Sequence, residues 1–83
     1  MAYAKPVKEV VKEMAEDKEM KIPDYVMSHI GQLDRDLEKQ KRAEEKTMTA
    51  ENVVLDLQHK KYFPEFDRND WDKIERHIEK ILQ

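Results

Sequence analysis

Four stretches of this chain carry apolar side chains at helical spacing. In the first, Val7, Val10, Val11 and Met14 recur at i, i+3, i+4 and i+7, the spacing of one buried helix face. Lys8, Glu9, Lys12, Glu13 and Glu16 fill the other side. Pro6 suits a first helical position, where its missing N–H would be unpaired anyway. Pro23 disfavours a helical Ile22, so the pattern predicts a first helix over 6–20 and a break at Met20-Lys21-Ile22.

In the second stretch Val26, Ile30, Leu33 and Leu37 are spaced 4, 3, 4, a two-heptad seam of the helix-on-helix kind. Asp24 sits in the first turn, where a negative charge meets the positive end of the helix dipole. Gln40 and Glu44 end the seam, and residues 38–48 read as a solvated helix extension or a linker. The predicted helix runs over 23–46. Gly31 lies inside it at a cost of about 1 kcal/mol relative to Ala, which points to a close helix crossing or a kink.

The third stretch starts at Thr49, a good N-cap, with Ala50, Val53, Val54 and Leu57 as its inner face; it is predicted over 50–60. His59, Lys60 and Lys61 suit the negative end of its dipole. A short aromatic connector follows, then a fourth helix over 69–82 with Trp71, Ile74, Ile78 and Ile81 as its stripe. Asp67 or Asn69 caps it, and Asn69 with Asp72 is a short-armed relative of the capping box. The expectation is an all-α domain over 1–83, a small bundle of about four helices with short connections. Its predicted core is the apolar residues of the four stripes.

Composition narrows the classes. The 83 residues are 42% charged and 39% hydrophobic, with one glycine and no cysteine. One glycine leaves little room for hairpin turns. A small secreted domain would usually need disulfides, and the N-terminus has no apolar signal core, so the expected location is cytoplasmic. The longest aliphatic run, Val53-Val54-Leu55, is far short of the roughly 20 residues a spanning helix needs, and no membrane partner is expected. The net charge is −3 with both signs mixed throughout, unlike the one-sided basic excess of a dedicated nucleic-acid module.

Candidate chemistry is thin. His29, His59 and His77 fall on three predicted helices with no cysteine, unlike the clustered ligands of zinc sites. Glu75 and Glu79 lie two residues either side of His77, a spacing that points helical side chains apart. The run 67–72 fails as a calcium loop, because Asp72 stands where the turn glycine should be and Ile78 replaces the closing Glu. Paired carboxylates such as Asp34/Asp36 and Asp70/Asp72 need a pocket to become acid–base catalysts. Ser28, Thr47 and Thr49 lack an activating context, and a phosphate loop needs more glycines. No catalytic, metal or cofactor residue is assigned, and the chain is expected not to be an enzyme.

Binding remains. Tyr62, Phe63, Phe66 and Trp71 gather most of the six aromatics into ten residues. They serve either as a mini-core joining the last two helices or as an aromatic anchor for a partner, with acidic residues around it. The seam Val26, Ile30, Leu33 and Leu37 is expected to divide between the core and a homodimer or obligate-complex interface, because so small a chain is marginal alone. The favoured reading is a protein-binding adaptor, inhibitor or regulatory subunit. The alternative is a nucleic-acid-associated regulator using the basic residues around 39–42 and 60–61.

Overall fold

The computed structural model describes residues 5–43 and 48–83. Its order is α1 (Val7–Asp17), α2 (Asp24–Arg42), α3 (Ala50–His59) and α4 (Arg68–Leu82). No strand occurs among the described residues. The chain is a small all-α bundle, and its radius of gyration of 12.4 Å is close to the roughly 12 Å of a compact domain of this length. Helix α4 packs on each of the other three, α1 also packs on α2, and α3 approaches only α4 by backbone among the described residues.

The stripe of α4 explains its central place. Trp71, Ile74, Ile78 and Ile81 are all buried, a continuous apolar row opposite a charged face. Val26, Ile30 and Leu37 of α2 and Val53, Val54 and Leu57 of α3 close around it. On α1 the buried line is Val7, Val11 and Ala15. That line advances four residues at a time, so Val10 and Met14, expected in the core, sit half-buried beside it. Leu33 is also half-buried, while Ala15, Ala50, Phe63 and Phe66 join the interior.

The helix ends show how local sequence and tertiary contact share the work. Thr49 Oγ1 accepts from Asn52 N–H at 3.2 Å, capping α3. The α4 cap is a reciprocal box between Asp67 and Asp70, both bonds 3.0 Å, rather than one formed by Asn69 and Asp72. Helix α1 has no such means. Its N-cap is Pro6, which has no side-chain acceptor. Instead Asp34, from the middle of α2, accepts from Val7 N–H at 2.7 Å and from Lys8 N–H at 3.1 Å. Beside it, His77 Nε2 of α4 contacts the Lys5 carbonyl. Pro6 and Pro23 both stand just before their helices, one residue outside the expected starts.

Helix α1 ends at Asp17, earlier than the expected 20. Glu19 adopts φ 55°, Glu19 N–H donates to the Glu16 carbonyl at 3.0 Å, and Met20 N–H donates to the Ala15 carbonyl at 2.8 Å. This is the paired closure of a Schellman motif, with a glutamate where glycine is the unstrained residue. Lys61, after α3, repeats the positive φ at 56°. The only glycine lies elsewhere. A Cβ placed on Gly31 would meet no atom within 4 Å, so no helix crosses closely there. Helix α2 ends at Arg42 with Ala43 extended; the expected helix over 44–46 and the Thr47 hydroxyl lie outside the described residues.

Lys18, at the end of α1, reaches Asp70 at the start of α4, Nζ to Oδ2 2.7 Å. The hydrogen bond from Lys18 holds the Asp70 carboxyl below its ordinary 3.8, with the Asp67 amide adding to the effect. The same hydrogen bond raises Lys18 above 10.5. A lowered carboxyl contributes stability that is present above its unfolded value and lost as pH falls through the folded one. A raised amine contributes stability that is present below 10.5 and lost as pH rises through its folded value.

Three outcomes are expected. Asp34→Ala removes two bonds to helix-start amides and should cost about 1–2 kcal/mol in denaturant unfolding. Gly31→Ala and Glu19→Gly should each stabilise by about 1 kcal/mol. Asp70→Asn keeps an acceptor for the capping box but loses the ion pair. Its destabilisation at neutral pH should shrink as pH falls below 3.8, followed by urea midpoints across an acid series.

Candidate functional site

The aromatic connector is where fold and surface meet. Phe66 N–H donates to the Phe63 carbonyl at 3.1 Å, closing a turn with Pro64 at its second position, which the proline ring favours. The turn brings both phenylalanine rings to the same side. They stack with centroids 4.9 Å apart and planes 20° apart. Trp71 meets Phe63 at 6.0 Å and Phe66 at 5.6 Å. The three residues are only 3%, 7% and 8% exposed. For Phe63, Phe66 and Trp71 this burial supports the mini-core reading rather than the anchor. Their rings fasten α3 to α4 from inside, because the connector folds back under the corner it turns.

Tyr62 is different. It is half-buried and stands edge-on to Phe63 at 6.2 Å. On its outer side it meets two residues of α2: His29 at 5.5 Å and Tyr25 at 6.0 Å, with interplanar angles of 67° and 77°. Ring contacts thus run unbroken from the core to solvent. Tyr25 is at the outer end and 68% exposed. His29 Nε2 lies 3.8 Å from Asp56 Oδ2 of α3, so a protonated His29 would face a carboxylate across the α2–α3 gap. Lys60 and Lys61, the two residues before Tyr62, are both exposed.

Tyr25 and His29 escape a reading that follows only clusters along the chain, since Tyr62 is more than thirty residues away. The signal available is their i, i+4 spacing, which places both on one face of α2 beside the seam.

The other expected sites fall as follows. Val26, Ile30 and Leu37 are fully enclosed by this chain's own helices and Leu33 is half-buried. Three of the four seam residues thus belong to the core, where α1 and α4 pack on α2. The basic groups do not converge. Lys39, Lys41 and Arg42 stand at the end of α2, and Arg42 pairs with Glu38 at 3.3 Å. Lys60 and Lys61 stand beside Tyr62, which touches the start of α2. The length of α2 separates the groups by about 22 Å.

Among the described residues, no three His, Asp or Glu side chains are placed to hold a metal ion. Of the paired carboxylates, Asp34 and Asp70 have structural partners: the α1 amides for one and Lys18 for the other. Compared with known proteins, the chain matches no family model, no curated sequence and no solved structure.

Proposed function

We propose that this chain is a non-enzymatic protein-binding module whose contact surface is the Tyr25–His29–Tyr62 patch. The observation that carries the reading is Tyr25: a large aromatic ring, 68% exposed, held by another ring that is anchored in the core. Tyrosines are prominent among binding hot spots. A ring already held against Tyr62 has less rotamer freedom to lose on binding than a free one. Asp56, 3.8 Å from His29, is a polar neighbour of the kind such centres have at their rim. The partner chemistry implied is a protein with a pocket for a phenol ring, lined by apolar groups with a polar group at its base for the hydroxyl. The module then acts as an adaptor, inhibitor or regulatory subunit in the cytoplasm. Among the described residues no helix is long and apolar enough to cross a membrane.

The test is affinity capture from source-cell extract, with Tyr25→Ala and Lys39→Ala variants beside the wild-type chain. A partner should survive a high-salt wash and tolerate Lys39→Ala. It should bind Tyr25→Ala about thirtyfold more weakly, the loss expected of a hot spot worth about 2 kcal/mol. Urea unfolding of Tyr25→Ala should move by no more than about 1 kcal/mol, the worth of one edge-on ring pair. A partner that tolerates Tyr25→Ala and is shed as salt rises would overturn the reading in favour of nucleic acid or another charged ligand.

A further inference from the structure

Several surface grooves among the described residues stand apart from the core and the aromatic patch, and the two with the largest net charge are of opposite sign. The first, about 450 Å³, lies beside α1 and the start of α2, over Ala15, Met20, Ile22 and Met27. Its charged lining is Lys8, Lys12 and Lys21 against the single Glu16, a net +2 in a chain whose total is −3. Gly31 lies four residues after Met27 on the same face of α2, and nothing stands above it within Cβ reach. The second groove, about 220 Å³, lies between α3 and α4 over Val54, Leu55 and the edge of Trp71. Its charges are Glu51, Asp72 and Glu75 against the single Arg68, a net −2. Leu55 is 53% exposed, one of the two large apolar side chains left in solvent among the described residues.

The two grooves are complements: three lysines and an acid face three acids and an arginine. None of these eight charged side chains forms an ion pair among the described residues. The floor of the basic groove includes two methionines, whose flexible thioethers adapt to an incoming side chain, and Leu55 is a side chain of suitable size. The basic groove is built on α1 and the start of α2, the acidic one on α3 and α4, so the two share no lining residue.

We propose that this chain associates head to tail with copies of itself, the Leu55 face of one protomer seated in the methionine groove of its neighbour. The two surfaces differ, so a single such contact leaves one groove free on each protomer, from which rings or open chains grow. The proposal is independent of the aromatic patch and uses neither Tyr25 nor Tyr62. Small, charge-rimmed contacts of this kind belong to the weak end of interfaces, and salt screens their exposed charges.

Sedimentation velocity over a rising concentration series at low salt tests it. Wild-type protein should grow beyond 10.0 kDa as concentration approaches about 1 mM, in the range of weak association, and return to monomer as salt is raised. The double variants Lys12→Glu/Lys21→Glu and Asp72→Lys/Glu75→Lys should each stay monomeric alone and associate when mixed, because each supplies the charge the other has reversed. Circular dichroism checks that both keep wild-type helicity. If either loses it, Leu55→Ser decides instead, with an expected weakening of about tenfold. Tyr25→Ala should associate as the wild type does. The proposal is overturned by a wild type that stays monomeric throughout, by folded variants that associate alone or stay apart when mixed, by an unaffected Leu55→Ser, or by loss of association in Tyr25→Ala.

Discussion

The two hydrogen bonds from the Val7 and Lys8 amides to the Asp34 carboxylate tie the start of α1 to the middle of α2. They also set the register of the helix pair. The first N–H groups of any helix need acceptors, and the proline before α1 has none to give. With Asp34 as the acceptor, Val7 and Val11 lie on the seam side and Lys8 and Lys12 lie outward. Close by, His77 of α4 holds the backbone at Lys5, so three helices meet at one helix start. The opposite end of α1 is fixed by Lys18 and Asp70. An amphipathic segment of eleven residues, marginal as a helix in isolation, is thereby pinned at both ends by side chains distant in sequence.

The four helices were legible because apolar spacing is a local property. Val53, Val54 and Leu57 or Ile74, Ile78 and Ile81 mark a buried face without reference to anything else. The Thr49 cap was legible for the same reason. Asp34 was not: beside Asp36 it reads as a solvated carboxylate, although it stands four residues after Ile30 and three before Leu37, on the edge of the buried stripe. The uncapped Pro6 was the available hint that some distant acceptor had to exist. Glu19 and Lys61 hid their left-handed conformations because neither residue type signals one. Gly31 misled in the other direction, since a glycine inside a helix suggests close packing and here has open space above it.

The candidate site divides along the same line. The connector's concentration of aromatics was visible, but its partition was not. Phe63 and Phe66 turn inward because a proline turn puts them on one side, and Tyr62, one residue earlier, points toward α2. The exposed half of the patch comes from Tyr25 and His29, which only the packing of α2 beside the connector brings to Tyr62. Likewise the Val26–Leu37 seam has the spacing of an interface between chains, and a spacing does not say whether the facing helix belongs to the same chain. Here it does.

Helix α4 is the fourth helix in chain order and packs on each of the other three. During synthesis, α1, α2 and α3 therefore emerge before the surface they share. At ordinary translation rates that interval is on the order of a few seconds, during which α1 and α2 have only each other and α3 has no helix to pack on. Helix α1 waits in addition for Asp34 to supply its first acceptors, and for Asp70 and His77 to fix its ends. The bundle is thus completed by α4, and a ribosome that stalls before residue 68 leaves at most the α1–α2 pair beside an unpartnered α3.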